Sequence, residues 1–157
     1  MTDFHLAEFN VVRLTEPIDS PRLASFVALL PEINALAEAS PGFVWRLTDH
    51  DGHDATSMRP FPDHDVIINL SVWESVEDLE RYVYRGRHLD PLRRRREWFL
   101  PSTTPNTVLW WIPAGTLPTV AEAMERLATL TRSGPGPRAF TFRQRHEAPI
   151  EGASFMP

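Results

Sequence analysis

From Val66 to Trp73 the side chains divide into two unlike rows, because successive residues of a strand point to opposite faces. Val66, Ile68, Leu70 and Val72 make an apolar row, while Ile67, Asn69, Ser71 and Trp73 make a mixed one. The apolar row suits a packed core. The mixed row, with an amide, a hydroxyl and an indole, suits the wall of a largely apolar cavity with a few orienting polar groups. The same patterning predicts strands over residues 8–14, 43–48 and 107–112, and a helix from about residue 21 to residue 39. Pro31 is expected to kink that helix or split it, since proline lacks the amide donor and crowds the preceding turn. Ser75 with Asp78 three residues on marks another helix start, and Val76, Leu79, Tyr82 and Val83 share one side of a helix to about Arg85. Asp90-Pro91 opens a short helix to about Phe99, and Thr119-Val120-Ala121-Glu122 is a capping box that opens a last helix ending before Ser133-Gly134-Pro135. Residues 139–143 read as a short edge strand.

This order of elements predicts an α+β domain, an antiparallel sheet with helices on one face, over residues 1–143, followed by a polar tail at 144–157. The face carrying Asn69, Ser71 and Trp73 is expected to lie away from the helices, where a second subunit would close it.

Composition removes several kinds of chemistry. The chain has 157 residues, 42% hydrophobic and 24% charged, the profile of a folded domain. It has no cysteine, which excludes disulfides, thiolate catalysis and cysteine-held metals. All 16 basic residues are arginine, so Schiff-base chemistry and lysine bases are absent. A net charge of -5 argues against general affinity for nucleic acid or an anionic membrane. No apolar run is long enough to span a bilayer and the first residues do not read as a leader, so the cytoplasm is the expected location. Phosphate loops, nucleophile elbows and His-Glu-x-x-His are missing. The connection with His50, Asp51, His53 and Asp54, then Asp63, His64 and Asp65, matches no metal template and reads as turn chemistry; no metal site is expected.

The run Asn69-Leu70-Ser71-Val72-Trp73-Glu74-Ser75-Val76-Glu77-Asp78-Leu79, continued by Tyr82-Val83-Tyr84 and His88, resembles the dimeric α+β barrel superfamily, and within it the antibiotic-biosynthesis-monooxygenase type. The whole chain is also similar to a bacterial group within it that has no assigned activity. The resemblance implies a ferredoxin-like sheet, two of which close into a barrel across a homodimer. It implies a small-molecule pocket and chemistry ranging from cofactor-independent oxygenation to haem binding, since one fold hosts many activities. By resemblance to haem-degrading members, Asn10, Tyr82 and His88 fall on catalytic positions, although tyrosine replaces the tryptophan of those enzymes and the interval to His88 is shorter.

Other candidates come from the residues themselves. The His88 imidazole suits a general base or an axial haem ligand. Helical spacing turns Arg95 inward among Leu92, Trp98 and Phe99, where it needs an anionic partner such as a haem propionate or another ligand acid. Asn69 and Ser71 would orient a substrate, Trp73 would form a wall, and Tyr82 or Tyr84 would help move protons. Trp110 and Trp111 must face opposite sides of their strand, one of them toward the pocket. The expected function is a monooxygenase-like enzyme acting on an apolar or aromatic substrate, with a haem protein or a non-catalytic binding module as alternatives.

Overall fold

The structure, a computed structural model, describes residues 3–48, 54–86 and 96–149. Its centre is β1 (Phe4–Leu14), which pairs antiparallel with β3 (Val66–Trp73) on one side and with β5 (Thr107–Pro113) on the other. β2 (Phe43–Arg46) flanks β3 through an irregular register between Phe43 and Trp45. β4 (Phe99–Leu100) pairs with Arg13 and Leu14, beyond the stretch of β1 that β5 occupies. α1 (Ala24–Ala39) follows β1 after a short 3-10 turn, and α2 (Val76–Gly86) follows β3. The strand order β2-β3-β1-β5 with helices after the first and third strands is the ferredoxin-like arrangement. α3 (Val120–Ser133) is an addition after it.

β1 begins four residues before the predicted strand because it is central and buried on both faces: Leu6, Ala7, Glu8 and Phe9 are all buried. α1 runs unbroken through Pro31. The carbonyl that loses its amide partner belongs to Val27, four residues earlier and 40% exposed, so water can take the place of that bond. Instead of the short edge strand expected over residues 139–143, Phe140 makes one isolated bridge, its amide and carbonyl each paired with Leu109 at 2.9 Å.

The two faces of the sheet are filled differently from the expectation. α1 and α2 cover the face carrying Asn69, Ser71 and Trp73, packing Ala37, Val76 and Leu79 against Leu6, Trp73 and Leu109, with Phe26 and Leu23 beside Leu14 and Ile67. The apolar row of Ile68, Leu70 and Val72 lies on the opposite face, under α3 and the connection that contains Ala55, Met58 and Phe61. Ala123, Leu127 and Leu130 recur at helical spacing and press on this row and on Trp110. Thr119 caps α3 by accepting the Glu122 amide at 3.1 Å. Helices therefore stand on both faces, with Asn69 left exposed on the α1 and α2 side. The mixed row could take helices because its neighbours on β1 and β5, namely Leu6, Val12, Leu14 and Leu109, supply the apolar area that it lacks.

Candidate functional site

Three β1 residues point toward α1 and α2 in succession: Glu8, Asn10 and Val12. Register sets Glu8 opposite Ser71 and Asn10 opposite Asn69, so each pair shares a face with closely spaced side chains. Glu8 is 5% exposed. Its Oε1 accepts from the Asn10 amide at 2.5 Å, and its Oε2 accepts from the Ser71 hydroxyl at 2.9 Å. The Trp73 indole donates to Ser71 Oγ at 2.9 Å. An indole N–H can only donate, so Ser71 Oγ serves it as an acceptor while the same hydroxyl donates to Glu8.

Burial pushes the Glu8 carboxyl up from 4.5 to about 7, a rise the Asn10 and Ser71 hydrogen bonds partly offset. Tyr82, from α2, stacks on Trp73 with ring centroids 5.1 Å apart. Burial first, and the Glu8 charge second, push its phenol up to about 12, against a smaller opposing effect of Arg46. At neutral pH, then, Tyr82 keeps its proton while Glu8 sits near its midpoint.

Beside this network lies a cavity of about 210 Å³. Asn10, Asn69 and Tyr82 line it on the sheet and α2 side, and α1 contributes Phe26, Leu30, Ile33 and Asn34. Those α1 positions fall on one helix face. Sequence reasoning thus located three residues that the fold brings together. It missed Glu8, although the alternation that turns Asn10 inward turns Glu8 inward too.

Other candidates lie elsewhere. Ser71 and Trp73 sit behind the cavity and hold Glu8. Tyr84 is 62% exposed and lines an open groove of about 840 Å³ on the outer side of α2, with Glu77, Glu80, Arg81 and Arg85. Two residues along a helix turn a side chain by roughly 200°, so Tyr82 and Tyr84 cannot share a site. That groove is of mixed charge and does not reach Glu8. Trp110 faces α3, donating to Glu122 Oε1 at 3.2 Å, and Trp111 faces the other side, donating to the His146 carbonyl at 2.8 Å. Their opposition is as expected, but among the described residues neither lines the 210 Å³ cavity.

His88 and Arg95 lie outside the described residues, as do His50, Asp51 and His53. A cavity of 210 Å³ is below the roughly 300–1,000 Å³ of drug-sized pockets, so a haem macrocycle does not fit it, and no step is assigned to haem. Asp63 instead pairs with Arg13 at 3.0 Å.

A family model described as a domain of unknown function, DUF3291, matches residues 5–154. No curated protein matches the chain. Among solved structures it is similar to SnoaB from Streptomyces nogalater, described as a cofactor-independent oxygenase, at 16% identity over 73% of this chain and 98% of that one, with a TM-score of 0.46. It is also similar to a putative antibiotic biosynthesis monooxygenase from Chloroflexus aurantiacus, at 14% identity over 74% of this chain and 98% of that one, with a TM-score of 0.43. NE2512 from Nitrosomonas europaea, of unknown function, shows 15% identity over 74% and 97%, with a TM-score of 0.43. At these values function has to be argued from the residues.

Proposed function

The chain belongs to the DUF3291 family, and from its site we propose a small monooxygenase-like enzyme that accepts an apolar, aromatic substrate and removes a proton from it through Glu8. The observation that carries this reading is a buried carboxyl poised near neutrality, coupled by Asn10 to the cavity wall. A base whose pKa lies near the working pH combines a usable fraction of carboxylate with adequate proton affinity. Glu8 lies two residues along β1 from the wall residue Asn10 and does not itself line the cavity, so the proton reaches the carboxyl through a water or after the Asn10 amide swings aside. Tyr82 stays a donor and can hold a substrate oxygen. A phenol or enol that has lost its proton is electron-rich enough to pass an electron to oxygen. In the overall change a ring methylene and O2 become a carbonyl and water, without a nucleotide site. The protein's share is base, orientation and a dry wall.

The pocket is built from one chain. A homodimer is the assembly implied by the resemblance, and in the single chain the cavity-lining Asn69 stays exposed.

Oxygen uptake with a panel of small phenols and quinols tests the proposal. Turnover is expected to rise with pH through about 7, following Glu8, and to fall by roughly a hundredfold or more in Glu8→Gln. Asn69→Ala should lower it as well. Turnover equal to wild type in Glu8→Gln overturns the assignment, and tight binding with no uptake identifies a binding module instead.

A further inference from the structure

Beside the Tyr82 phenol and Thr56, the polar groups on the cavity wall include a set of carboxamides. Asn34 from α1 and Asn69 from β3 present carboxamides to the same 210 Å³ space, and neither side chain hydrogen-bonds to another described residue. Asn10 lines it too, but its amide is committed to Glu8. A free carboxamide offers a donor and an acceptor side by side and pairs best with a ligand edge that offers the complement.

The charge around the cavity narrows the ligand further. Among the described residues no arginine or histidine lines it, and its one charged side chain is Asp54. Asp54 Oδ1 already accepts from the Thr56 amide at 2.8 Å and from the Thr56 hydroxyl, so this carboxylate serves its own turn. An anionic ligand would meet negative charge from Asp54 and from ionised Glu8, and among the described residues no cation lines the cavity to offset it. Apart from Tyr82 and Thr56, the remaining surface is apolar: Phe26, Leu30 and Ile33 on one side, Val12, Ile67 and Phe99 on the other. An apolar cavity of roughly 150 Å³ holds one benzene ring. The volume here therefore suits one substituted ring or two fused rings.

We propose that this cavity selects a neutral one- or two-ring cyclic amide, a lactam, with its N–H and carbonyl edge read by Asn34 and Asn69 and its rings held between α1 and the sheet. The inference rests on the reading of this cavity as the substrate site. Lactams also fit that chemistry, since a hydroxylated lactam ring is acidic enough to yield its proton to a carboxylate of near-neutral pKa.

Binding, rather than turnover, tests it. Three bicyclic probes of similar shape are titrated at neutral pH: 2-quinolone, which has the lactam edge; naphthalene, which has none; and 2-naphthoate, which is an anion. 2-Quinolone should bind saturably and shift the side-chain amide NMR signals of Asn34 and Asn69. Naphthalene should bind about tenfold more weakly, and 2-naphthoate more weakly still. Asn34→Ala and Asn69→Ala should each weaken 2-quinolone about fivefold to tenfold, the loss of one hydrogen-bonded contact, while naphthalene stays unchanged. Both positions are at least partly open to solvent, so these variants fold. Equal or tighter binding of 2-naphthoate, no binding of 2-quinolone, or wild-type affinity in both asparagine variants overturns the lactam assignment. Oxygen uptake with phenols that survives such a result leaves the Glu8 proposal standing, so the two claims fail separately.

Discussion

Glu8 is the residue on which both the chemistry and a measurable cost of folding meet. The folded protein holds its proton up to about pH 7, while an unperturbed carboxyl releases it near 4.5. Between those values the folded state binds more protons than the unfolded chain, so stability falls as pH rises through the window and stays lower above it. From the size of the shift the change is on the order of 3 kcal/mol. Urea denaturation at pH 5 and pH 8 should show that loss in the wild type and little of it in Glu8→Gln, whose amide can still pair with Ser71 and Asn10. An equal pH dependence in the two proteins would show that the carboxyl titrates at its ordinary value. Asn69 was legible as a pocket residue from strand alternation, and Asn10 from the resemblance. Glu8 was not, because an acid in a strand is ordinarily turned to solvent, and only the central place of β1 denies it that.

At the scale of elements, the turn from α1 into β2 ties the site's two covering helices together. Gly42 has φ of 82°, a conformation that L side chains rarely adopt, and a Cβ there would overlap the Asp78 carboxylate. Asp78 cannot retreat freely: its carboxylate accepts from Ser75 Oγ at 2.9 Å, its amide donates to the same oxygen at 3.1 Å, and Arg81 lies 3.3 Å away. Gly42→Ala should therefore destabilise the fold by about 2–3 kcal/mol through strain and displacement of the α2 cap. Gly136→Ala, where nothing lies within 4 Å and φ is not positive, should be near neutral in the same thermal or urea melt. Equal effects would argue that this turn tolerates a side chain.

For the whole molecule the decisive feature is that the apolar core on each face of the sheet is buried within one chain. Phe9, Leu70, Val72 and Trp110 on one face, and Leu6, Trp73 and Leu109 on the other, are essentially buried without a partner. Folding that needed a second subunit would make the melting temperature depend on protein concentration. It should instead stay constant over about a hundredfold dilution. A midpoint that falls steadily with dilution would show that pairing contributes to the fold. Among the described residues no helix is long and apolar enough to cross a membrane.

Local pattern was enough to determine which residues alternate, where helices start, that Asn69, Ser71 and Trp73 share one face of their strand, and that Tyr82 lies on the sheet-facing side of its helix, because strand and helix periodicity are properties of the chain itself. It also set the chemistry out of reach, with neither cysteine nor lysine available. Which face the helices choose was decided only by packing, since each row of β3 finds apolar neighbours on the adjacent strands and either face can form a core. The same holds for Ser71 and Trp73, whose inward direction was legible. Their role in holding Glu8 depends on a cross-strand partner that lies 63 residues from Ser71 in sequence, and only the assembled sheet brings it within reach.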